Sequence, residues 1–298
     1  MFTGKAVAYW RKGLRTQNFG DLLSELLFRE LTGRSLLNPF TGRRVAPFDT
    51  IHLLGSVISN YHVTADLEHG RGFGAQKIAF WCCGKRDGST LDEELLEHCV
   101  FLGARGPLTR DALHLPAETP LGDPALLLPA IYRPHIDRNL ADKTLCVPHF
   151  LEKKPDSQLL VETGADMIVR PNIPASIEAI YKIIDQIVSA RFVLCGALHA
   201  AIVCCAYNSA FSYFDSGYVD APFKWCDFSA SIDIEEHFPG TVLEGERLYG
   251  ARIHGRIRKP NLERILDCAP YTPPRALQVR LRSYQKAERG RTRTHGPH

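Results

Sequence analysis

Three junctions in this chain pair an apolar segment with a polar residue suited to holding an anion or moving a proton. The first is Asn18-Phe19-Gly20-Asp21, beside a helical stripe at Leu22, Leu23, Leu26, Leu27 and Leu31. Gly20 permits close backbone approach, and a helix start favours a negative ligand. Asp21 works against simple anion binding: it either caps the helix or takes a proton from a substrate hydroxyl. The second is Ala104-Arg105-Gly106-Pro107. An arginine at the carboxyl end of a strand, just before a proline-opened helix, points to the ligand side of an α/β sheet, and its planar fork matches phosphate or carboxylate. The third is Cys195-Gly196-Ala197-Leu198-His199, which puts His199 in the first turn of an apolar helix. There the helix dipole lowers the ring's pKa and favours a neutral base or hydrogen-bond donor. Gly122-Asp123-Pro124 is a turn whose Asp123 either fixes the backbone or faces a ligand, and Val147-Pro148-His149 sets His149 just past a strand. Arg110 reads as an exposed salt-bridge partner. His52, His62 and His98 lack metal-ligand spacing, so no metal site is expected.

The elements that must carry these residues alternate. Apolar runs predict strands at 6–10, 51–54, 77–83, 99–104, 144–147, 166–169, 192–195 and 210–214. Helices are predicted at 22–31, 92–98, 107–114, 174–190 and 198–207; the fourth carries Ile177, Ile180, Ile183, Ile184, Ile187 and Val188 on one face. Alternating strands and helices imply parallel sheets covered on both sides. The Pro/Arg-rich stretch 129–142 reads as a connection. The expected fold class is therefore α/β, with two Rossmann-like doubly wound domains (1–135 and 136–268) facing a cleft, then a flexible basic tail, 269–298.

With 298 residues, 45% of them hydrophobic, the chain has material for a real core. No apolar run approaches the about 18 residues of a membrane helix, and the start is too short and polar for a signal peptide. The nine cysteines sit mostly in apolar segments, such as Trp81-Cys82-Cys83 and Val203-Cys204-Cys205. They read as buried free thiols of a reducing, cytoplasmic environment. Residues 275–298 hold seven Lys/Arg against one Glu, so a formal net charge of +3 leaves the rest of the chain acidic. That excludes a globally basic nucleic-acid binder. The tail is either solvated or a peripheral tether to an anionic membrane surface.

In order and spacing, Tyr9-Trp10, Asn18 to Ser24, Gly55-Ser56, Gly103 to Arg110, Gly122 to Pro129, Val147 to Phe150, Ala197-Leu198-His199 and Phe223 to Phe228 resemble the polysaccharide pyruvyltransferase family, most closely its xanthan-type ketal branch. The resemblance spans roughly residues 5–230. It implies a GT-B glycosyltransferase-like fold and phosphoenolpyruvate as co-substrate, with no separate cofactor. The acceptor would be a sugar in a lipid-linked bacterial polysaccharide repeat unit, converted to a cyclic pyruvate ketal. It associates the arginine matched by Arg105 and the histidine matched by His199 with the donor; with them Lys224, Gly196 and Leu198 are read as the donor side, and Asn18, Gly20, Gly55, Ser56 and Asp123 as the acceptor side. Acid–base work would fall to His199, Asp21 and His149. On this reading Arg105→Ala abolishes pyruvyl transfer while the fold survives.

The chain departs from the family at Ala197 and Ala200, where Ser or Arg precedes the Leu-His pair and Gly follows it. A second donor cation must then come from Lys224 or from the Arg11/Lys12/Arg15 loop. Arg71-Gly72-Phe73-Gly74 replaces a Trp-Gly-Ser-Gly-like element, and Asn208-Ser209-Ala210 replaces Gly-Ile-Pro, with Asn able to adopt the left-handed conformation of that Gly. Two other readings stand beside this one. A nucleotide-sugar-dependent glycosyltransferase would need a base-and-ribose pocket in the second half, where no acidic residue is clearly placed for it. A non-catalytic glycan-binding paralogue would account for Ala197 and Ala200. Acceptor contacts are expected from loops 34–48 and 57–72.

Overall fold

The computed structural model describes residues 6–8, 16–37, 50–70, 77–217 and 219–294. Tyr9-Trp10, the Arg11/Lys12/Arg15 loop, Arg71-Gly72-Phe73-Gly74 and residues 38–48 of the first expected acceptor loop lie outside them. In chain order the elements are β1 (Ala6–Ala8), β2 (Thr16–Asn18), α1 (Phe19–Thr32), β3 (Thr50–His52), α2 (Asn60–Gly70), β4 (Ile78–Phe80), α3 (Glu93–Leu96), β5 (Cys99–Phe101), α4 (Pro107–Ala112) and α5 (Leu128–Ile131). There follow β6 (Thr144–Val147), α6 (Asp156–Thr163), β7 (Met167–Ile168), β8 (Asn172–Pro174), α7 (Ile177–Ser189), β9 (Phe192–Cys195), α8 (Leu198–Tyr207), β10 (Phe211–Tyr213), α9 (Pro222–Ser231), α10 (Val242–Leu248), α11 (Leu262–Asp267) and α12 (Arg275–Thr294).

The alternation produces an α/β fold with two four-stranded parallel sheets, ordered β1-β3-β4-β5 and β10-β9-β6-β7. Every residue of β6 and β9 is buried, as strands covered on both faces require. Register decides what meets at the sheet edges. Val147 pairs with Cys195, so the turns leading to His149 and to His199 leave the second sheet side by side. In the first sheet His52 pairs with Phe80, and the Gly84 N–H donates to the Gly55 carbonyl at 2.9 Å, which aligns the two loops that follow.

One continuous core joins the sheets, with Ile51, Leu53 and Trp81 from the first and Leu145, Val147, Val193 and Cys195 from the second. Much of α1 belongs to this core. Ten of its fourteen residues are buried, and a helix apolar nearly all round must be covered on every side. It packs against α7 and α8, while β2 pairs antiparallel with β8. The stretch 129–142 is accordingly no free connection: Leu128 and Ala130 of α5 are buried, and Tyr132 stacks on Tyr181 and donates to Asp185 Oδ1 at 2.8 Å.

Three local expectations are corrected. The basic tail expected to be flexible forms α12, because Leu277 and Leu281, one turn apart, enter the core while Arg275, Arg282 and Lys286 are exposed. The helix Nε–H of Arg280 donates to the Ala130 carbonyl at 2.7 Å, which fixes α12 to α5. Asp21 does not cap α1: Asn18 Oδ1 accepts from the Gly20 N–H, which leaves Asp21 inside the first turn. The helix expected from 174 begins at Ile177, because 172–174 form β8 and Ser176 caps the helix by accepting from the Ala179 N–H. Asn208 does take the left-handed conformation, with φ +61°. The nine cysteines are free thiols, six of them buried. Among the described residues no helix is long and apolar enough to cross a membrane.

Candidate functional site

A cavity of about 680 Å³ opens at the carboxyl ends of the parallel strands, where α1 and α8 begin. Of the residues singled out in the sequence, Asn18, Gly20, Asp21, Gly55, Ser56, His149, Leu198, His199 and Lys224 line it. Arg105, Asp123 and Gly196 do not. Gly196 instead lets two turns close on one another: its N–H donates to the Val147 carbonyl at 2.7 Å, and a Cβ there would lie 3.1 Å from the His149 backbone nitrogen.

Asp21 projects from the first turn of α1 and accepts from Asn18 Nδ2 at 3.1 Å. Burial pushes its carboxyl up to about 6, although the Asn18 hydrogen bond and the Lys224 charge pull the other way. A carboxyl that titrates near neutrality is suited to accepting a hydroxyl proton.

His199 sits against Gly20 so closely that a Cβ on Gly20 would lie 2.3 Å from its Nδ1. Burial, then the Arg105 and Lys224 charges, bring its pKa down to about 3. The pKa falls, as the sequence leads one to expect, but through burial and the two nearby cations. Near neutral pH the ring is therefore uncharged. Its Nε2 faces Asp123 Oδ2 at 3.8 Å, beyond hydrogen-bond reach, and neither buried atom has a hydrogen-bond partner. Asp123 is thus not on the acceptor side. Its other oxygen accepts from the Ala125 N–H at 3.0 Å and caps the turn Pro124–Leu127 behind His199; burial pushes this carboxyl, too, up to about 6.

These shifts give a signed pH dependence. Asp21 and Asp123 hold their protons more tightly when folded, so the stability they contribute is complete below about pH 4 and is lost as pH rises through about 6. His199 resists protonation when folded, so its contribution is complete above about pH 6.5 and is lost as pH falls through about 3. Acidification from pH 7 to 5 is therefore expected to lower the urea midpoint of the wild type more than that of His199→Gln. Equal shifts in the two proteins would refute the burial of a neutral ring at this position.

Also in the lining, Asp220 gathers three groups. Its Oδ1 accepts from Arg86 Nη2 at 2.8 Å and its Oδ2 from Lys224 Nζ at 2.6 Å, while His149 Nε2 lies 3.6 Å from Oδ2. Burial opposes the Asp220 charge, yet neighbouring His149 and the Lys224 and Arg86 charges hold the carboxyl well below the usual range. Burial also lowers the Lys224 pKa, against the pull of Asp220. Arg86 and Asp220 escape the sequence reading. Arg86 had a signal: Gly84-Lys85-Arg86 puts basic residues past the carboxyl end of a strand, as Ala104-Arg105 does. Asp220 had only its spacing of four residues from Lys224.

Arg105 is the largest correction. It is fully buried and reaches the cavity wall only through Ser56, whose Oγ accepts from Nη1 at 2.5 Å. Its Nε lies 3.3 Å from Asp227 Oδ2, and Asp227 also accepts from the Thr109 N–H at 2.9 Å and Oγ1 at 2.7 Å. A Cβ at Gly84 would meet Arg105 Nη2 at 2.1 Å, and one at Gly106 would meet the Asp227 carbonyl at 2.0 Å. The Ala-Arg-Gly-Pro segment therefore ties α4 to α9 instead of presenting a cation to a ligand. Arg110 pairs with neighbouring Asp111.

Among the described residues no group of three or more His, Cys, Asp or Glu is placed to hold a metal ion. The chain matches no protein-family model, no curated protein and no solved structure.

Proposed function

We propose that this chain is a ketal pyruvyltransferase that moves a pyruvyl group from phosphoenolpyruvate to two hydroxyls of a sugar, on a two-sheet frame of the GT-B type. The observation that carries this reading is the meeting, in one cavity, of Asp21 titrating at about 6, a neutral His199, His149 and the Lys224 ammonium. Beside them α8 begins at Ala197 without a side-chain cap, a place where an anionic group is favoured.

In this reading Lys224 and the start of α8 hold the donor's anionic groups, the duty that Arg105 is too deeply placed to perform. The methylene carbon of phosphoenolpyruvate takes a proton from His149. The first sugar hydroxyl bonds to the central carbon as Asp21 takes its proton, and the bond to the phosphate oxygen breaks with its electron pair. The second hydroxyl then closes the ring and its proton is lost. Across the whole reaction the two hydroxyl protons end on the new methyl group and on the departing phosphate. Neutral His199 hydrogen-bonds the donor without changing its protonation. Exposed Arg275, Arg282 and Lys286 of α12 would meet the anionic inner face of the membrane that carries a lipid-linked acceptor.

The test is incubation with a lipid-linked oligosaccharide and either phosphoenolpyruvate or nucleotide sugars, followed by mass measurement. A gain of about 70 Da marks the ketal, whereas about 162 Da would mark hexose transfer and overturn the proposal (sums of atomic masses). No gain with any donor would favour a glycan-binding protein. Gly20→Ala is expected to slow the ketal reaction about 100-fold by displacing the His199 ring, since misplacement of this size in a site carries such a loss. A variant with unchanged turnover would detach His199 from the reaction.

A further inference from the structure

Arg86 and Lys224 reach the cavity from separate parts of the chain, one from the loop after β4 and the other from the first turn of α9. Both charges end on the single carboxylate of Asp220, one on each oxygen. The site is built rather than superficial: the Asp220 and Lys224 side chains are 8% and 9% exposed, and that of Arg86 is 45% exposed. Burial disfavours the Lys224 ammonium, so an anion beside it stabilises the charged form. Asp220 supplies that anion, on a backbone segment that ends at Ala221 with φ +46°, a left-handed conformation that alanine adopts only at a cost.

We infer that Arg86 and Lys224 form an anion-binding pair, that Asp220 occupies it in the free protein, and that a phosphoryl or carboxylate group of the ligand displaces the Asp220 carboxylate. The ligand's identity as phosphoenolpyruvate rests on the reading above; the anion pair does not. Asp220 balances only one of the two cations directly; Asp21 and Asp87, which also line the cavity, lie within the fields of Lys224 and Arg86 respectively, so an entering anion is held by the paired donors and not by an excess of positive charge. The exchange also sets a selectivity: a neutral sugar cannot replace Asp220, so only an anionic ligand frees the segment.

Calorimetric titration with inorganic phosphate, and separately with phosphoenolpyruvate, tests this on three full-length proteins. Arg86→Gln, at a half-exposed position whose loss the fold tolerates, is expected to bind both anions about tenfold more weakly. Asp220→Asn is expected to bind them about tenfold more tightly, because the competing carboxylate is gone. Phosphate is also expected to raise the melting temperature of Asp220→Asn more than that of the wild type. Wild-type affinity in Arg86→Gln, or affinity in Asp220→Asn no greater than wild type, overturns the inference. If Asp220→Asn does not fold even with phosphate present, the Arg86→Gln titration decides alone. Should phosphate bind with these dependences while phosphoenolpyruvate is never turned over, the anion pair stands and the pyruvyl assignment falls.

Discussion

Arg105→Ala is expected to melt roughly 10 °C below the wild type, because the guanidinium serves the interior. The substitution strands Asp227 in the interior with only the two Thr109 donors, and it empties the space between Gly84 and Gly106. Removing one partner of a buried ion pair costs about 3–5 kcal/mol, most of it from the charge left behind. In a chain of this length each kcal/mol moves the midpoint by about 2–4 °C. Arg105→Lys should recover only part of the loss, since a single ammonium cannot serve Ser56 and Asp227 together. Calorimetry on the two variants checks this. A wild-type melting temperature for Arg105→Ala, coupled with lost turnover, would restore the direct donor contact that the sequence suggests.

Asp21→Asn is expected to move activity and stability in opposite directions. On the proposed function, pyruvyl transfer should fall by about 10² to 10⁴, the range for loss of a positioned proton acceptor. Above pH 6 the urea midpoint should rise, because burial disfavours the ionised carboxylate and the amide carries no charge to bury. An interior group that weakens the fold while serving the reaction is a mark of a working site. Single-turnover rates and urea melts at pH 7.5 give both numbers. Full turnover in this variant would pass the hydroxyl proton to His149 instead.

The legible parts of this protein were those where burial is uniform. β6, β9 and α8 stand at the expected residues because their apolar runs are continuous and their ends are marked by Lys143, Pro148, Gly196 and Asn208. The cavity was legible for a related reason: polar residues at the carboxyl ends of parallel strands converge on one edge, whatever their partners. Partners were the illegible part. Nothing in Ala104-Arg105-Gly106-Pro107 tells that Gly84 and Gly106 leave room for the guanidinium to turn inward to Asp227. Asp220 claims Lys224 through a fold-dependent contact of the same kind. In α12 the count of basic residues drew attention away from Leu277 and Leu281, and in α1 the stripe on one face concealed that the other faces are buried as well.

The β2–β8 ribbon and the seating of α1 on α7 and α8 have a mechanical result. Hinged enzymes breathe because a seam of few contacts separates their lobes. Here β2 and α1 pack on β8, α7 and α8, and one core takes residues from both sheets, so swinging the sheets apart is expected to break that core. Traffic into and out of the cavity must pass through its mouth, where Tyr61 and Leu151 stand exposed, with the frame stationary. The radius of gyration in solution should be the same with and without ligand, and the pace of exchange should depend on side chains at that mouth.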